Sequence, residues 1–471
     1  MKGKLFVGPR IRLLRERDRQ TLQACADQLG VSASYLSQIE TNQRPVTARV
    51  LIALSTVFGV SPSEFDTDDE SRLIADLREA SADLALGAPL PGLAELKLAA
   101  ATTPSLAHQF LALHQAYRRL DERLKTLDET LGMDGQNTPE ALLPYEEVRD
   151  FFHYRDNYIA ELDTAAEALA EEIGIGADDN TGMLLELFLQ KKLGIQVARD
   201  GSESPARVLR RYDPQRKLVT MAADLAGPTR VFQLAVQIAE LVFEPLFAEV
   251  LTHADFKTTT ARDVAHVALA NYAAGALVMP YRHFAATALT LRHDIEQLQR
   301  RYSASFEQIC HRLGNLQRPG ARGVPFYFVR VDQAGNITKR HSATRFQFAR
   351  FGGACPLWNV HEAFGHPGRI LVQIAEMPDG VRYLCVGRSI VKRSGAYSTP
   401  NRHFAVGIDC EISHAHQVVY SEGLQLNGAA VPIGISCRIC ERNACHQRAF
   451  PPIDRKLTIP VNERRLLPYA L

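Results

Sequence analysis

A chain of 471 residues with 54 Lys plus Arg against 53 Asp plus Glu carries a formal net charge of +1. The length suits about three domains, and 46% hydrophobic with 23% charged residues excludes a wholly disordered or fibrous chain. No apolar run reaches the roughly 18 residues that span a bilayer, and the N-terminus lacks the apolar core of a signal peptide. Eight cysteines are too few for a disulfide scaffold, so a soluble, cytoplasmic protein with no membrane partner is expected.

The small total hides a pattern. Residues 1–65 hold nine bases and five acids, a net of +4; 66–100 carry −5, 101–120 carry +2, 121–186 carry −14, and 187–471 therefore carry +14. A basic head and a basic C-terminal part suit anionic partners, while the acidic middle reads as solvated helix faces.

In chain order, Arg10 to Arg17 places Ile11 and Leu14 one turn apart in a short amphipathic helix. Thr21 to Leu29 repeats the pattern, Gly30 supplies its stop, and Ser32 is a good N-cap for a helix running to Glu40 with Leu36 and Ile39 inward. Further helices are predicted at Thr47 to Phe58 and Pro62 to Phe65. Two short helices joined by Leu29-Gly30-Val31-Ser32 have the geometry that lays the second in the DNA major groove. The run from Leu29 to Glu40, followed by Asn42-Gln43-Arg44-Pro45, resembles the Cro/cI (XRE) type of DNA-binding domain. That resemblance implies a lambda-repressor-like fold in which Ala33, Ser34, Ser37 and Gln38 face the bases, Asn42, Gln43 and Arg44 meet phosphate, and Ser32 is a further DNA-binding residue. Leu22 replaces the Gln that relatives usually place on the phosphate backbone, so that contact is expected either to be lost or to be supplied by Gln20 or Gln23.

Residues 67 to 172 read as mostly helix. Leu106, Leu113, Leu120, Leu124, Leu127 and Leu131 recur at near-heptad spacing, and because a reader of palindromic DNA must pair, 67–150 is expected to be a helical linker that supports a homo-oligomer, dimer or tetramer. The stretches 229 to 243 and 270 to 280 resemble the IrrE-like (M78) metallopeptidase fold. Active members carry His-Glu-x-x-His, two imidazoles for zinc and a carboxylate for water; here those positions are Val236, Gln237 and Glu240. Residues 151–310 are therefore expected to keep the fold as a degenerate helical domain without peptidase activity.

From Pro325 the pattern changes to strands: Phe326 to Val331, the turn Gln333-Ala334-Gly335-Asn336, then Ile337 onward as a hairpin, and further strands at Ile370 to Glu376, Tyr383 to Val391 and Phe404 to Ile408. Residues 311–471 are thus predicted to be an α+β sensor domain, completing a multidomain chain that is mostly α in its N-terminal half after a 1–66 head. Its basic residues with interspersed aromatics suit a nucleotide-bearing anion, and Lys339, Arg340, Arg345, Trp358, Arg388, Lys392 and Arg393 are the expected effector contacts. Cys25, Cys310, Cys355 and Cys385 read as core. Cys437, Cys440 and Cys445 lie within nine residues and can converge on one ion, with Cys410 as a fourth thiol and His414, His416 and His446 as alternatives. Four thiolates suit zinc or an iron-sulfur cluster alike.

The order of parts, the tail from Gly434 to Pro452, and stretches such as Val148-Arg149-Asp150-Phe151-Phe152 and Gly352-Gly353-Ala354-Cys355-Pro356-Leu357-Trp358 resemble the short-chain fatty acyl-CoA regulator family over nearly the full length. The resemblance implies a bacterial transcription factor for propionyl-CoA or acetyl-CoA metabolism, a double-stranded operator, a short acyl-CoA as effector, and a [4Fe-4S] cluster on Cys410, Cys437, Cys440 and Cys445. Control by that cluster alone, as a redox or metal sensor, is the alternative; an active metallopeptidase is disfavoured at Val236 and Gln237.

Overall fold

A computed structural model describes the chain except for residues 1–6, 19, 42, 60–66, 84–90, 131–142, 177–179, 202–207, 255, 257, 345–354, 395–396, 438–439, 453–456, 460–461, 464–465 and 468–471. Contacts divide it into two compact units: Met1–Asn137 with Pro452–Thr458 and Leu471, and Thr138–Pro451 with Ile459–Ala470.

The first unit begins with α1 (Gly8–Arg17), α2 (Leu22–Leu29), α3 (Ala33–Glu40) and α4 (Ala48–Phe58). Ile11, Cys25, Leu36, Ile39 and Leu54 form its fully buried centre. The Ser32 cap and the Gly30 stop are where the sequence places them, and Thr21 and Thr47, read as first helical residues, cap the helices that follow them. Thr21, Ser32 and Thr47 accept the N–H of Ala24, Tyr35 and Val50 as N-caps, each worth about 1 kcal/mol, and Gly30 ends α2 at φ +66°, a conformation glycine adopts without strain. The predicted helix at Pro62 to Phe65 lies outside the described residues. Beyond it, α5 (Thr67–Asp83), α6 (Leu93–Thr102) and α7 (Pro104–Thr130) pack around Leu73, Leu77, Leu96 and Leu111. Leu106 and Leu113 of the heptad-like stripe stay outside this core, 62% and 69% exposed; the side chains of its other leucines are not described.

The second unit starts with α8 (Leu143–His153), α9 (Ala160–Ile173) and α10 (Thr181–Lys191). Where only helix was expected, three short strands follow: β1 (Gln196–Asp200), β2 (Arg210–Asp213) and β3 (Leu218–Ala222), ordered β1-β3-β2 with β1 parallel and β2 antiparallel to β3. Each is four or five residues long and two of them are rich in charge, too short for a visible alternation. Then come α11 (Gly227–Val242), α12 (Glu244–Thr252), α13 (Thr259–Val278), α14 (Tyr281–Thr290), α15 (Ile295–Tyr302) and α16 (Phe306–Gly314). Alanines 265, 270, 273, 274 and 276 on α13 are fully buried, so α9 and α11 approach its backbone closely.

A six-stranded sheet completes the unit: β4 (Phe326–Asp332), β5 (Ile337–Ser342), β6 (Leu371–Glu376), β7 (Arg382–Lys392), β8 (Arg402–Glu411) and β9 (Val431–Pro432), in the order β5-β4-β8-β7-β6-β9. One face, with Phe328, Ile408, Cys410, Leu384 and Val386, joins a core that runs from Val148 to Val418 and includes Phe306, Ile309 and Leu313 of α16. The other face holds a second core around Tyr327, Trp358 and Cys385. Across that face Val329, Gly407 and Gly387 lie side by side. A Cβ on Gly407 would sit 2.9 Å from Val329 Cγ1 and 3.6 Å from the Trp358 ring, so the two glycines make a trough that Trp358 and Val360 fill. No single described helix is long and apolar enough to cross a membrane.

Candidate functional site

On the head, Ser34, Gln43, Arg44 and Gln23 are exposed, while Ala33, Ser37 and Gln38 are half-buried. Ser32 is exposed too, yet its hydroxyl accepts Tyr35 N–H at 3.1 Å and so fixes the start of α3. Gln38 carbonyl accepts the N–H groups of Gln43 and Arg44 at 2.8 and 3.1 Å, a turn that holds both side chains beside the end of α3, with the Arg44 guanidinium 5.6 Å from the Tyr35 ring. Asn42 lies outside the described residues. Gln23 donates to Asp27 at 2.9 Å and Gln20 to Gln28 at 3.0 Å, exposed bonds that a phosphate can displace. Beneath this surface Arg15 grips the buried Glu40 with two bonds of 2.7 and 2.9 Å, tying α1 to the end of α3.

At the former peptidase site Val236 and Gln237 are buried, and Glu240 meets His266 Nε2 of α13 at 2.8 Å. Valine offers no donor atom and an amide cannot take a proton from water, so these residues do not fit a catalytic zinc. A direct carboxylate–imidazole contact links α11 to α13 instead.

The sheet face that meets α16 carries a charge cluster. Glu307, near the start of α16 and 7% exposed, accepts Arg330 Nη1 at 2.7 Å and lies 3.2 Å from Lys339 Nζ and 2.6 Å from Lys392 Nζ. Burial favours its neutral form, but the three cations prevail and hold its pKa down at about 2. Arg330 also stands over the Phe404 ring at 4.5 Å, and Lys392 approaches it at 5.8 Å. Arg330, Val406 and Arg388 form one row across β4, β8 and β7; Arg388 pairs with the exposed Glu296 at 3.1 Å and lies over Phe306.

On the second core, one small cavity is lined by four thiols, Cys355, Cys437, Cys440 and Cys445, with Arg442 and Arg448. Arg448 donates to the carbonyl of Cys437 at 2.7 Å and of Cys440 at 3.2 Å, and to that of Arg442. Ala449 N–H points at Cys437 Sγ, 3.4 Å away. Burial pushes the Cys355 thiol pKa up, while N–H groups of Leu357 and Gly434 pull it back. A Cβ on Gly434 would meet Cys440 Sγ at 2.7 Å, so only glycine lets the backbone pass this sulfur. Among the described residues no three Cys, His, Asp or Glu side chains stand at metal-binding distances, yet the four cysteines that line one cavity are of the residue type that a tetrathiolate centre uses.

The family description "Helix-turn-helix domain" matches residues 7–67, "IrrE N-terminal-like domain" matches 190–314, and "Short-chain fatty acyl coenzyme A regulator, C-terminal" matches 315–469. End to end, the chain is 48% identical to the propionyl-CoA carboxylase regulator of Cereibacter sphaeroides over 471 residues, all of both chains. It is also 43% identical to the HTH-type transcriptional regulator RamB of Mycobacterium tuberculosis, covering all of this chain and 99% of the relative. The chain belongs to the short-chain fatty acyl-CoA regulator family. A solved Mycobacterium tuberculosis transcriptional regulator, 45% identical, superposes with a TM-score of 0.67 over 70% of this chain and 99% of its own. Like these relatives, this member of the family is a helix-turn-helix transcription regulator and not an enzyme.

Two expectations for this regulator need correction. Trp358 cannot stack on an effector, because it is fully buried in the glycine trough. Cys410 is not the fourth thiol of the cavity: strand alternation turns it toward the first core, opposite Phe326 and Leu384, where burial raises its pKa. Cys355, read from sequence as an isolated core cysteine, takes its place. Of the expected effector cations, Lys339, Arg388 and Lys392 share one face; Arg340 sits opposite Val329 on the other, Arg393 is exposed just beyond β7, and Arg345 lies outside the described residues. Glu307, Arg330 and Phe404 were missed, although Arg330 is where the hairpin register places it, directly across from Lys339.

Proposed function

We propose that this regulator reads a palindromic operator as a homo-oligomer and that a short-chain acyl-CoA, propionyl-CoA or acetyl-CoA, sets its DNA affinity. The observation that carries the reading is the end-to-end identity with a protein called propionyl-CoA carboxylase regulator, supported by a cation cluster with aromatic rings suited to coenzyme A phosphates. Exposed Leu106 and Leu113, seven residues apart on α7, support pairing through that helix. A tenfold switch needs only about 1.4 kcal/mol of differential binding, and one methylene is worth about 1 to 3 kcal/mol, so propionyl and acetyl forms should be only modestly distinguished.

The test is a DNA-shift assay on a native operator with and without propionyl-CoA, alongside sedimentation of the same preparation. The expected result is an oligomer whose operator affinity changes at least about threefold; unchanged affinity at saturating acyl-CoA removes the effector, and a monomer removes the pairing. In the same assay Arg44→Ala should weaken binding to all sequences alike and flatten the salt dependence by roughly one unit of slope, as loss of one phosphate contact does. A change in base preference would instead place Arg44 among the base readers.

The thiol cavity favours one further element, a bound iron-sulfur cluster or zinc held by Cys355, Cys437, Cys440 and Cys445. Such a centre would give the regulator a redox or metal input beside the acyl-CoA.

A further inference from the structure

The cations around Glu307 are out of balance with it. Three of them, Arg330, Lys339 and Lys392, converge on one carboxylate, leaving a local charge of +2. Asp332, two residues along β4 on the same face, is taken up by the turn, accepting the N–H groups of Ala334 and Asn336 and the Asn336 amide, and Glu296 of α15 is engaged with Arg388. The positive end of α16, nine residues long and capped by Ser305, adds to the same field. The cluster is also open on one side: the Lys339 and Lys392 side chains are 47% and 38% exposed, against 9% for Glu307. Each ammonium carries three donors, of which the contact with Glu307 takes one. A network that served only to fasten α16 to the sheet would not require two exposed lysines beyond Arg330.

We propose that Arg330, Lys339 and Lys392 form a binding site for the di- or polyphosphate of a nucleotide-like ligand, and that Glu307 is its resident competitor, an internal anion that the ligand's phosphate must displace from the two lysines. This rests on the acyl-CoA reading for the identity of the ligand, though not for the site itself. Arg330 stays with Glu307 at the base, while the flexible lysines turn outward onto phosphate oxygens, which accept charge-assisted bonds from several donors at once. Displacement makes the site selective. A single carboxylate or chloride gains too little to exchange with Glu307, whereas a polyphosphate offers several charged oxygens to both lysines.

The experiment titrates the full-length protein, Glu307→Gln, and the double variant Lys339→Gln/Lys392→Gln with sodium tripolyphosphate and with coenzyme A, at low and at physiological salt. Removing the competitor should tighten tripolyphosphate binding at least about fivefold, and removing the lysines should weaken it at least as much and flatten its salt dependence. A folded Glu307→Gln that binds no tighter overturns the competitor, and a double variant that binds as wild type does overturns the site. If Glu307→Gln does not fold, the lysine variant decides the site and Glu307→Asp, whose shorter carboxylate reaches the lysines less well, decides the competitor by the same gain in affinity. Coenzyme A separates this from the functional reading. Tripolyphosphate obeying the pattern while coenzyme A fails to bind leaves the site standing and removes the acyl-CoA; coenzyme A binding unaffected by either substitution or by tripolyphosphate does the reverse.

Discussion

Arg312→Ala should cost the second unit about 3 to 5 kcal/mol, the usual penalty for leaving a buried charge without its partner. Arg312 and Asp163 are 2% and 0% exposed. Two parallel bonds of 2.8 and 2.9 Å join them, and Arg312 Nε donates to Met279 carbonyl at 2.9 Å. Burial alone would lower the pKa of this guanidinium, but the adjacent carboxylate raises it on balance. Tyr272 donates to Asp163 at 2.7 Å and accepts Ile159 N–H at 3.0 Å, so the network ties α9, α13 and α16 together. Without Arg312, Asp163 keeps only Tyr272 and the more distant Arg318, 3.7 Å away. Thermal unfolding should fall by roughly 5 °C, Asp163→Ala should do comparable damage, and the double variant should lose much less than the sum. A drop below about 3 °C for Arg312→Ala would show that water or Arg318 compensates the carboxylate. Because the chain has two units, the melting point of the affected transition is the quantity to compare. α16 carries Glu307 on its outer turn and Arg312 in the core, so loosening this anchor should also blur the cation cluster.

The head was almost fully legible because its signals are local. Thr21, Ser32 and Thr47 cap, Gly30 stops, and the apolar spacing inside each helix is regular; none of these depends on distant residues. The hairpin of β4 and β5 was legible for the same reason. What sequence could not provide was sidedness across long separations. Cys410 is nearer in sequence to the tail thiols than Cys355 is, and spacing favoured it, but strand alternation on β8 sends it to the opposite face. Trp358 reads as a stacking platform among basic residues, but Gly387 and Gly407, far along the chain, make the trough that buries it. Arg312 and Asp163 are 149 residues apart, and a charged residue in a helix gives no sign of whether it faces water or a buried partner. Periodicity identifies faces; only the fold says which faces meet.

That distinction is decided most sharply at the thiols. Purified without oxygen, the protein is expected to contain iron with labile sulfide, or else zinc, and Cys355→Ser should remove most of that content while Cys410→Ser leaves it in place. Loss of one of four thiolates should lower affinity well beyond the 10- to 100-fold that removing a supporting residue costs. Cys437→Ser should behave like Cys355→Ser, since both residues line the same cavity. The Cys410 variant brings a hydroxyl into an apolar core at 1% exposure, a penalty of about 1 to 3 kcal/mol, so its melting curve must accompany its metal analysis. A stable Cys410→Ser that loses its metal, beside a Cys355→Ser that keeps it, would reverse the assignment; a wild-type protein with neither iron nor zinc would remove the centre altogether. If the centre is present, its link to the proposed acyl-CoA input has a physical route. Cys355 lies three residues before Trp358, whose indole lies under the Gly407 trough, and β8 carries on its opposite face Phe404, against which Arg330 and Lys392 stand. Oxidation or loss of the centre should therefore change coenzyme A affinity as well as DNA affinity, and by linkage acyl-CoA should shift the potential of the centre in the matching direction.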